Sequence, residues 1–165
     1  MSSNKKFDTL FLDRDGVLNK KIDNGYVLDF DQIEILPGIE DFLQSAVNYF
    51  ERILVVTNQR CVGRGLLSIE HLFEINAKIN ELTGGHIDRF YVCPHLDEDN
   101  CDCRKPKNGM FLQAGKDYEV DFSCSSTIDS ISYFLIINFP TMATAFAKME
   151  RHYFTVKLVK GIYYA

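Results

Sequence analysis

Short apolar runs alternate with amphipathic stretches over the first two thirds of the chain. Residues 7–12 (FDTLFL) form an apolar run that ends abruptly in charged residues, which predicts a buried strand with a functional carboxyl end. Residues 53–56 predict a second strand. Between the two, a helix is predicted after Pro37-Gly38, because apolar residues recur there at helical spacing. These residues are Ile39, Phe42, Leu43, Ala46, Val47 and Phe50.

The pattern continues with a second helix and a third strand. Ser68 is a suitable N-cap after the glycine-bearing loop 61–65, and Gly84-Gly85 ends the segment. The apolar positions of this helix are Leu72, Ile75, Ile79 and Leu82. A short strand over 89–92 follows and runs into a group of cysteines. Strands that alternate with helices in this way predict a three-layer α/β domain with a parallel sheet, in which ligands bind at the carboxyl ends of the strands.

The last part of the chain has a weaker pattern. Residues 123–127 are polar, 131–139 are strongly apolar, 141–151 fit a helix and 154–159 fit a last strand. We find no internal repeat, low-complexity tract or linker in the sequence. The chain is therefore predicted to form a single domain over residues 1–165.

Composition narrows the class of protein. The chain has 165 residues, is 46% hydrophobic and carries a formal net charge of −5, which fits one globular domain with a sizeable core. Electrostatic binding of nucleic acid needs an excess of Lys and Arg, so no such partner is expected. No signal peptide is recognisable, and no apolar run approaches the roughly 20 residues that cross a bilayer. We expect a soluble cytoplasmic monomer that binds a small molecule and has no membrane partner.

Polar residues that suit chemistry follow the first two strands. Asp13 and Asp15 come directly after the first strand, and they point to the same side if the extended backbone persists. Two such carboxylates repel unless a cation or a proton lies between them, which favours a metal site or a nucleophile beside an acid. A solvated acidic turn is the alternative. The second strand ends in Thr57-Asn58-Gln59, whose groups suit phosphate oxygens but are also common in ordinary turns.

The cysteines predict a metal site. Four candidate ligands lie within eleven residues in the pattern C-x-H-x5-C-x-C: Cys93, His95, Cys101 and Cys103. Three thiolates and one imidazole complete a tetrahedral set for Zn²⁺ with no position left for water, which is typical of a structural site. Cys61 and Cys124 are expected to be unrelated thiols in a reduced compartment. Arg104 and Lys105 follow at once, so the zinc-binding loop would present two cations to a phosphate.

Together these segments resemble the haloacid dehalogenase superfamily of phosphatases. They are most similar to the branch that contains D-glycero-D-manno-heptose-1,7-bisphosphate phosphatase and the histidinol-phosphate phosphatase domain. The matching segments are LFLDRDGVLN (10–19), GYVLDFDQIEILPG (25–38), VVTNQ with its following VGRG (55–65) and CPHLDEDNCDCRKPKNGM (93–110). The resemblance implies a Rossmann-like three-layer sandwich with a mainly parallel sheet, little or no cap domain, a Mg²⁺ cofactor and a structural Zn²⁺.

The resemblance also implies roles for individual residues. Asp13 would be the nucleophile, through an aspartyl-phosphate, and Asp15 the general acid and then the base. Thr57 and Lys105 would hold the transferring phosphoryl group. Mg²⁺ would bind between the Asp13 carboxylate, the Asp15 carbonyl and the phosphate. The implied substrate-binding residues are Asn19, Asn58, Gln59, Arg64 and Arg104.

The fourth motif of the superfamily, I-G-D-x-x-x-D, is only partly matched. Residues 126–134 read STIDSISYF, in which Asp129 is the one acidic residue and the implied third Mg²⁺ ligand. The leading hypothesis is a Mg²⁺-dependent phosphatase of carbohydrate metabolism that hydrolyses heptose 1,7-bisphosphate. Histidinol phosphate is the nearest alternative substrate. A third hypothesis is a weakly active or inactive, zinc-stabilised module that binds phosphate.

Overall fold

A mainly parallel sheet forms the centre of the protein. The computed structural model describes residues 7–129 and the backbone of residues 130 and 155–158. Its strands are β1 (Phe7–Leu12), β2 (Phe50–Asn58), β3 (Arg89–Cys93), β4 (Ser126–Ser130) and β5 (Thr155–Leu158), arranged in the order β3-β2-β1-β4-β5. The first four strands run parallel, and β5 pairs antiparallel with β4. The predicted helix over 141–151 and the apolar stretch 131–139 lie outside the described residues.

Within residues 7–130, three α-helices connect the strands: α1 (Ile39–Ala46), α2 (Ile69–Leu82) and α3 (Gly109–Tyr118). Ser68 caps α2 as predicted, because its side chain accepts a hydrogen bond from the backbone N–H of His71. The long connection from β1 to α1 packs against the sheet, with Val17, Leu18 and Val27 buried in the core. Within 7–130, therefore, no separate cap domain is inserted, in agreement with the sequence. The predicted three-layer α/β class is confirmed.

The two faces of the sheet bury different helices. Successive residues of β1 alternate between the faces, so Leu10 and Leu12 pack with α1 and α2 while Phe11 packs with α3. Residues of β2 alternate in the same way. Both faces are thus covered, which explains why the central strands read as continuous apolar runs in the sequence.

One detail of the predicted helices is wrong. Phe50 does not belong to α1 but begins β2, where it pairs with Phe7 in the parallel register. Its spacing from Ala46 matched a helix by coincidence, because a turn that ends with Tyr49 separates the two elements. Leu82 ends α2 as an apolar position, as predicted, but its side chain is 42% exposed, whereas the C-cap residue Thr83 is buried.

The parallel register brings chemistry-bearing residues to one edge of the sheet. Asp13 follows β1, Asn58 ends β2, Cys93 ends β3 and Asp129 lies near the end of β4. Such an edge is where α/β folds bind ligands. Among the described residues, no helix has the length and apolar character needed to cross a membrane.

Candidate active site

An open pocket of about 540 Å³ lies at the carboxyl edge of the sheet. Its walls come from the turn after β1, the loop 21–27, the end of β2 with its following loop, and the cysteine loop before α3. The charged and polar side chains that line it include Asp13, Asp15, Tyr26, Asn58, Arg60, Arg64, Arg104 and Lys105. The pocket therefore combines carboxylates on β1 with cations from two loops.

Asp13 is anchored directly beyond β1. Its backbone N–H donates to the carbonyl of Ile128 in β4 at 2.8 Å, and one carboxylate oxygen accepts from the backbone N–H of Arg14 at 2.7 Å. The other carboxylate oxygen lies 2.9 Å from Nζ of Lys105. Burial raises the pKa of the Asp13 carboxyl, and the Lys105 ammonium acts against that shift. Asp13 is thus a partly buried carboxylate whose charge is supported by one lysine.

Asp129 shares this lysine with Asp13. The parallel register pairs Leu12 with Ile128, so Asp13 and Asp129 are the next residues along two neighbouring strands. Nζ of Lys105 donates to the Asp129 carboxylate at 2.8 Å. The two carboxylates therefore converge on one cation, although Asp129 is the single acidic residue of its motif.

The end of β2 fixes the backbone of Lys105. The side-chain amide of Asn58 donates to the Lys105 carbonyl at 3.1 Å, and its carbonyl oxygen accepts from the Lys105 N–H at 3.0 Å. This reciprocal pair of bonds ties the cysteine loop to the sheet edge. Asn58 consequently both lines the pocket and holds the lysine in place.

Asp15 has different partners from Asp13. The strand ends at Leu12, so the extended backbone on which the paired arrangement depends does not persist to Asp15. Its carboxylate accepts from Nε and Nη2 of Arg14 at 2.9–3.1 Å, from Asn19 at 3.0 Å and from Gln59 at 2.6 Å. Both aspartates line the same pocket, but their charges are balanced by separate cations.

Three of the sequence-predicted site residues are buried. Asn19, Thr57 and Gln59 are at most 1% exposed, and they are not among the residues that line the pocket. Gln59 links them, because its amide donates both to Asp15 and, at 2.9 Å, to the Thr57 hydroxyl. In this structure they form a polar layer next to Asp15 rather than part of the pocket wall.

A cationic rim surrounds the mouth of the pocket. It consists of Arg60, Arg64 and Arg104, which line the pocket together. Tyr26 contacts two of them: Nε of Arg60 donates to its hydroxyl at 2.8 Å, and the Arg64 guanidinium lies 5.8 Å from its ring centroid. Asp97 pairs with Arg60 at 3.3 Å and with Nε of Arg104. The rim is thus an organised group of guanidiniums beside the two carboxylates.

The cysteine loop brings together the four predicted metal ligands. One ligand atom each from Cys93, His95, Cys101 and Cys103 lies within 4.8 Å of every other, with close pairs separated by 3.2–3.8 Å. A tetrahedral zinc with Zn–S bonds of about 2.3 Å needs sulfur atoms about 3.8 Å apart, so the cluster fits this ion. Burial raises the pKa of Cys93. Burial and the neighbouring thiols of Cys93 and Cys101 raise the pKa of Cys103 to about 12. Cys61, buried beside Gln59, and the exposed Cys124 lie outside the cluster.

Known proteins share both the sequence and the fold. The chain is 36% identical over 124 residues to D-glycero-beta-D-manno-heptose-1,7-bisphosphate 7-phosphatase of Helicobacter pylori, a match that covers 73% of this chain and 69% of that protein. The chain belongs to the heptose-bisphosphate phosphatase family of haloacid dehalogenase-like proteins. No protein-family model matches the sequence.

Two further members of the heptose-bisphosphate phosphatase family extend this comparison. The D-glycero-alpha-D-manno-heptose-1,7-bisphosphate 7-phosphatase of Mycobacterium tuberculosis is 42% identical over 106 residues, which are 62% of this chain and 56% of that protein. The crystal structure of D,D-heptose 1,7-bisphosphate phosphatase from B. bronchiseptica, complexed with magnesium and phosphate, matches with a TM-score of 0.63 at 31% identity. That match covers 70% of this chain and 66% of the other. The chain therefore spans between about half and two thirds of the length of these relatives.

Some residues of the site could not be assigned from the sequence. Arg14 stands between Asp13 and Asp15, but nothing in the sequence shows that its side chain is buried. Asn76 was hidden in the pattern of α2, although a polar residue within an apolar stripe is a usable signal. Tyr26 and Asp97 contact Arg60 of the rim from loops that are 34 and 37 positions away in the sequence. These four residues support the groups that the motifs identify.

Proposed function

We propose that this chain is a phosphomonoesterase that removes one phosphate from a small sugar bisphosphate, D-glycero-D-manno-heptose 1,7-bisphosphate. The observation that carries the proposal is the convergence of the Asp13 and Asp129 carboxylates on Lys105, since Asp13 and Lys105 line an open pocket. The relatives are named as phosphatases of this sugar, which supports the choice of substrate.

In this proposal Asp13 is the nucleophile. One of its carboxylate oxygens attacks phosphorus, a new O–P bond forms, and the bond from phosphorus to the sugar oxygen breaks. Asp15 donates a proton to that leaving oxygen. Asp15 then accepts a proton from water, whose oxygen attacks the aspartyl-phosphate and releases inorganic phosphate, restoring Asp13. The placement of both carboxylates in one pocket supports this division of roles.

Lys105 and Thr57 hold the transferring phosphoryl group in this scheme. Lys105 already lies 2.9 Å from the nucleophilic carboxylate and is fixed through its backbone by Asn58, so its charge is in place before the substrate arrives. Thr57 is buried and linked to Asp15 through Gln59. The Thr57 hydroxyl lies beneath the pocket surface, so it contacts the phosphoryl group only if that group reaches below the surface.

The carboxylate oxygens beside Lys105 fit Mg²⁺. Two carboxylates, from Asp13 and Asp129, already face a single point of positive charge, and hard oxygen ligands of this kind are those that Mg²⁺ prefers. We propose that these carboxylates, with the backbone carbonyl of Asp15, hold the ion. When bound there, Mg²⁺ offsets negative charge on the phosphoryl group.

The cationic rim suits the second phosphate of a bisphosphate. Arginine binds phosphate bidentately, and the rim places Arg64 and Arg104 at the same pocket as the nucleophile. Asn58 lines the pocket and completes the proposed substrate-binding set. Asn19 and Gln59, implied by the resemblance, are buried and bind Asp15, so in this proposal they support the acid. The ammonium group of histidinol phosphate would instead require a carboxylate where the rim carries guanidiniums.

A substrate panel tests the proposed function. Phosphate release is measured with Mg²⁺ present, from heptose 1,7-bisphosphate, heptose 7-phosphate and histidinol phosphate at equal concentrations. We expect the highest kcat/KM with the bisphosphate. A clear preference for histidinol phosphate would reverse the choice of substrate. No turnover of any of the three, combined with tight binding of phosphate in a titration, would establish a non-catalytic binding module instead.

Replacing Arg104 with alanine is expected to weaken binding of the bisphosphate selectively. Loss of a charge-assisted bidentate contact should raise KM about 10- to 100-fold for the bisphosphate, and raise it much less for the 7-phosphate, which lacks the second anionic group. The value of kcat should change little, because Arg104 does not contact the reacting carboxylates. Initial rates with both substrates measure the effect.

The matched control is Arg89→Ala. Arg89 begins β3 and pairs with Asp117 at 3.0 Å, and it does not line the pocket. This variant removes an equivalent charge from the surface and should leave both KM values as they are. Equal changes of KM for bisphosphate and monophosphate in Arg104→Ala would show that Arg104 does not bind the second phosphate.

A further inference from the structure

A buried ion pair lies next to the pocket. Arg14 is 0% exposed, and its one ion-pair partner among the described residues is Asp15, at 2.9 Å. Burying a guanidinium costs free energy unless every part of it is well paired. Arg14 does not line the pocket, so it is not placed to bind substrate. Its charge must therefore serve the group that it contacts.

The contact fixes the plane of the Asp15 carboxylate. Nη2 of Arg14 reaches both carboxylate oxygens, at 2.9 and 3.0 Å, and Nε reaches one of them at 3.1 Å. Because the guanidinium is planar and rigid, this fork sets both the position and the rotation of the carboxylate. The other donors, Asn19 and Gln59, each bind one oxygen, and single hydrogen bonds of that kind leave the rotation less constrained.

Asn76 holds Arg14 from the opposite side. Nη1 of Arg14 donates to Oδ1 of Asn76 in α2 at 3.2 Å. Asn76 is 2% exposed and lies in a stripe whose other buried members, Leu72, Ile75 and Ile79, are apolar. Its Nδ2 has no hydrogen-bond partner within the described part of the chain. An apolar side chain would avoid this cost, which indicates that the bond to Arg14 is the reason for asparagine here.

We propose that Arg14 and Asn76 are positioning residues that hold the Asp15 carboxyl in line for proton transfer to the leaving oxygen. The inference rests on the proposed function, in which the proton leaves Asp15 as the bond from phosphorus to the sugar oxygen breaks and the electron pair stays on that oxygen. Helix α2 thereby helps to position the Asp15 carboxyl, because Asn76 fixes Arg14 and Arg14 fixes Asp15. A small displacement of Asp15 affects the step that needs its proton.

Leaving groups that differ in their need for a proton test this role. An alkoxide from a sugar phosphate must be protonated as it leaves, whereas p-nitrophenolate is stable without a proton. We expect Asn76→Leu, which fits the apolar stripe, to slow the first turnover of heptose bisphosphate about 10- to 100-fold. The same substitution should slow the first turnover of p-nitrophenyl phosphate at least about tenfold less than that of heptose bisphosphate. The reason is that p-nitrophenolate leaves without a proton from Asp15. KM should stay close to that of wild type for both.

Rapid-quench measurement of the first turnover separates this step from later hydrolysis of the aspartyl-phosphate. Arg14→Lys keeps the charge but removes the fork, and it should give the same substrate-dependent loss. The matched control is Asn80→Leu, one turn further along α2, where the side chain bonds only the backbone of Ile87. If Asn80→Leu merely destabilises the protein, it should slow the first turnover of both substrates equally or of neither.

Two outcomes overturn the inference. An equal loss on both substrates in Asn76→Leu would mean that Asn76 is only structural, and no loss on either would mean that Arg14 holds Asp15 without it. The wild-type protein distinguishes these results from failure of the proposed function. If wild type releases phosphate from neither substrate, the proposed function is wrong and the inference falls with it.

Discussion

Asp13→Asn is expected to abolish phosphate release. An amide oxygen is a far weaker nucleophile than a carboxylate, so kcat should fall on the order of 10⁴-fold or more, as when other enzymes lose a covalent nucleophile. The substitution keeps the size of the side chain and removes a charge whose burial is unfavourable, as the raised pKa of Asp13 indicates. Lys105 retains Asp129 as an ion-pair partner. The fold should therefore persist while the chemistry stops.

Phosphate release and thermal unfolding are measured on the same samples of Asp13→Asn. Acid quench during turnover should trap an aspartyl-phosphate in wild type and none in the variant. Asp31→Asn serves as the control, because Asp31 is an exposed carboxylate in a short 3-10 helix and does not line the pocket. Turnover within tenfold of wild type in Asp13→Asn would remove Asp13 as the nucleophile.

The parts of the fold that could be predicted are those with local causes. The bounds of β1 follow from an apolar run that ends in charges, and the start of α2 follows from the capping side chain of Ser68. Phe50 was misassigned because an apolar residue at helical spacing can equally begin the next strand. Leu82 lies in α2 as predicted, but the spacing alone does not show that its side chain is exposed while the C-cap residue Thr83 is buried.

The residues of the site likewise fall into those that the sequence identifies and those that only the folded structure brings together. Asp13, Lys105 and the cysteine cluster lie within short motifs, so the sequence alone could identify them. The contact between Lys105 and Asp129, in contrast, spans 24 positions and depends on the register of β1 with β4. The bond between Arg14 and Asn76 spans 62 positions and depends on how α2 packs on the sheet. Tertiary packing decides which polar residues contact the side chains of the motifs, and such packing cannot be predicted from a single sequence.

The second large effect is expected when the cysteine cluster loses a ligand. We propose that this cluster binds one structural Zn²⁺, and Cys103→Ser removes a thiolate that the ion requires. The metal content should fall from about one equivalent toward zero. The free energy of unfolding should fall on the order of 3–5 kcal/mol, because binding energy of a structural metal is folding energy.

Loss of the metal should also lower kcat, because the cysteine loop leads directly into Lys105. Cys103 lies two residues before Lys105, whose ammonium contacts both Asp13 and Asp129. Two hydrogen bonds from Asn58 fix the Lys105 backbone, whereas the loop before it would be held together by the four ligands that converge on the proposed metal site. A loop that loses this centre should present Lys105 and Arg104 less accurately to a phosphate.

Metal analysis, urea unfolding and phosphate release together check this expectation for Cys103→Ser. Cys124→Ser is the matched control, since Cys124 is an exposed thiol outside the cluster and should change none of the three quantities. Activity is assayed at a temperature where both variants are folded, so that a lower kcat reports the position of Lys105 rather than unfolding. If Cys103→Ser keeps its stability and its kcat, the cluster neither binds a structural metal nor positions the lysine. If it loses stability but keeps kcat, Asn58 alone is sufficient to hold Lys105 at the sheet edge.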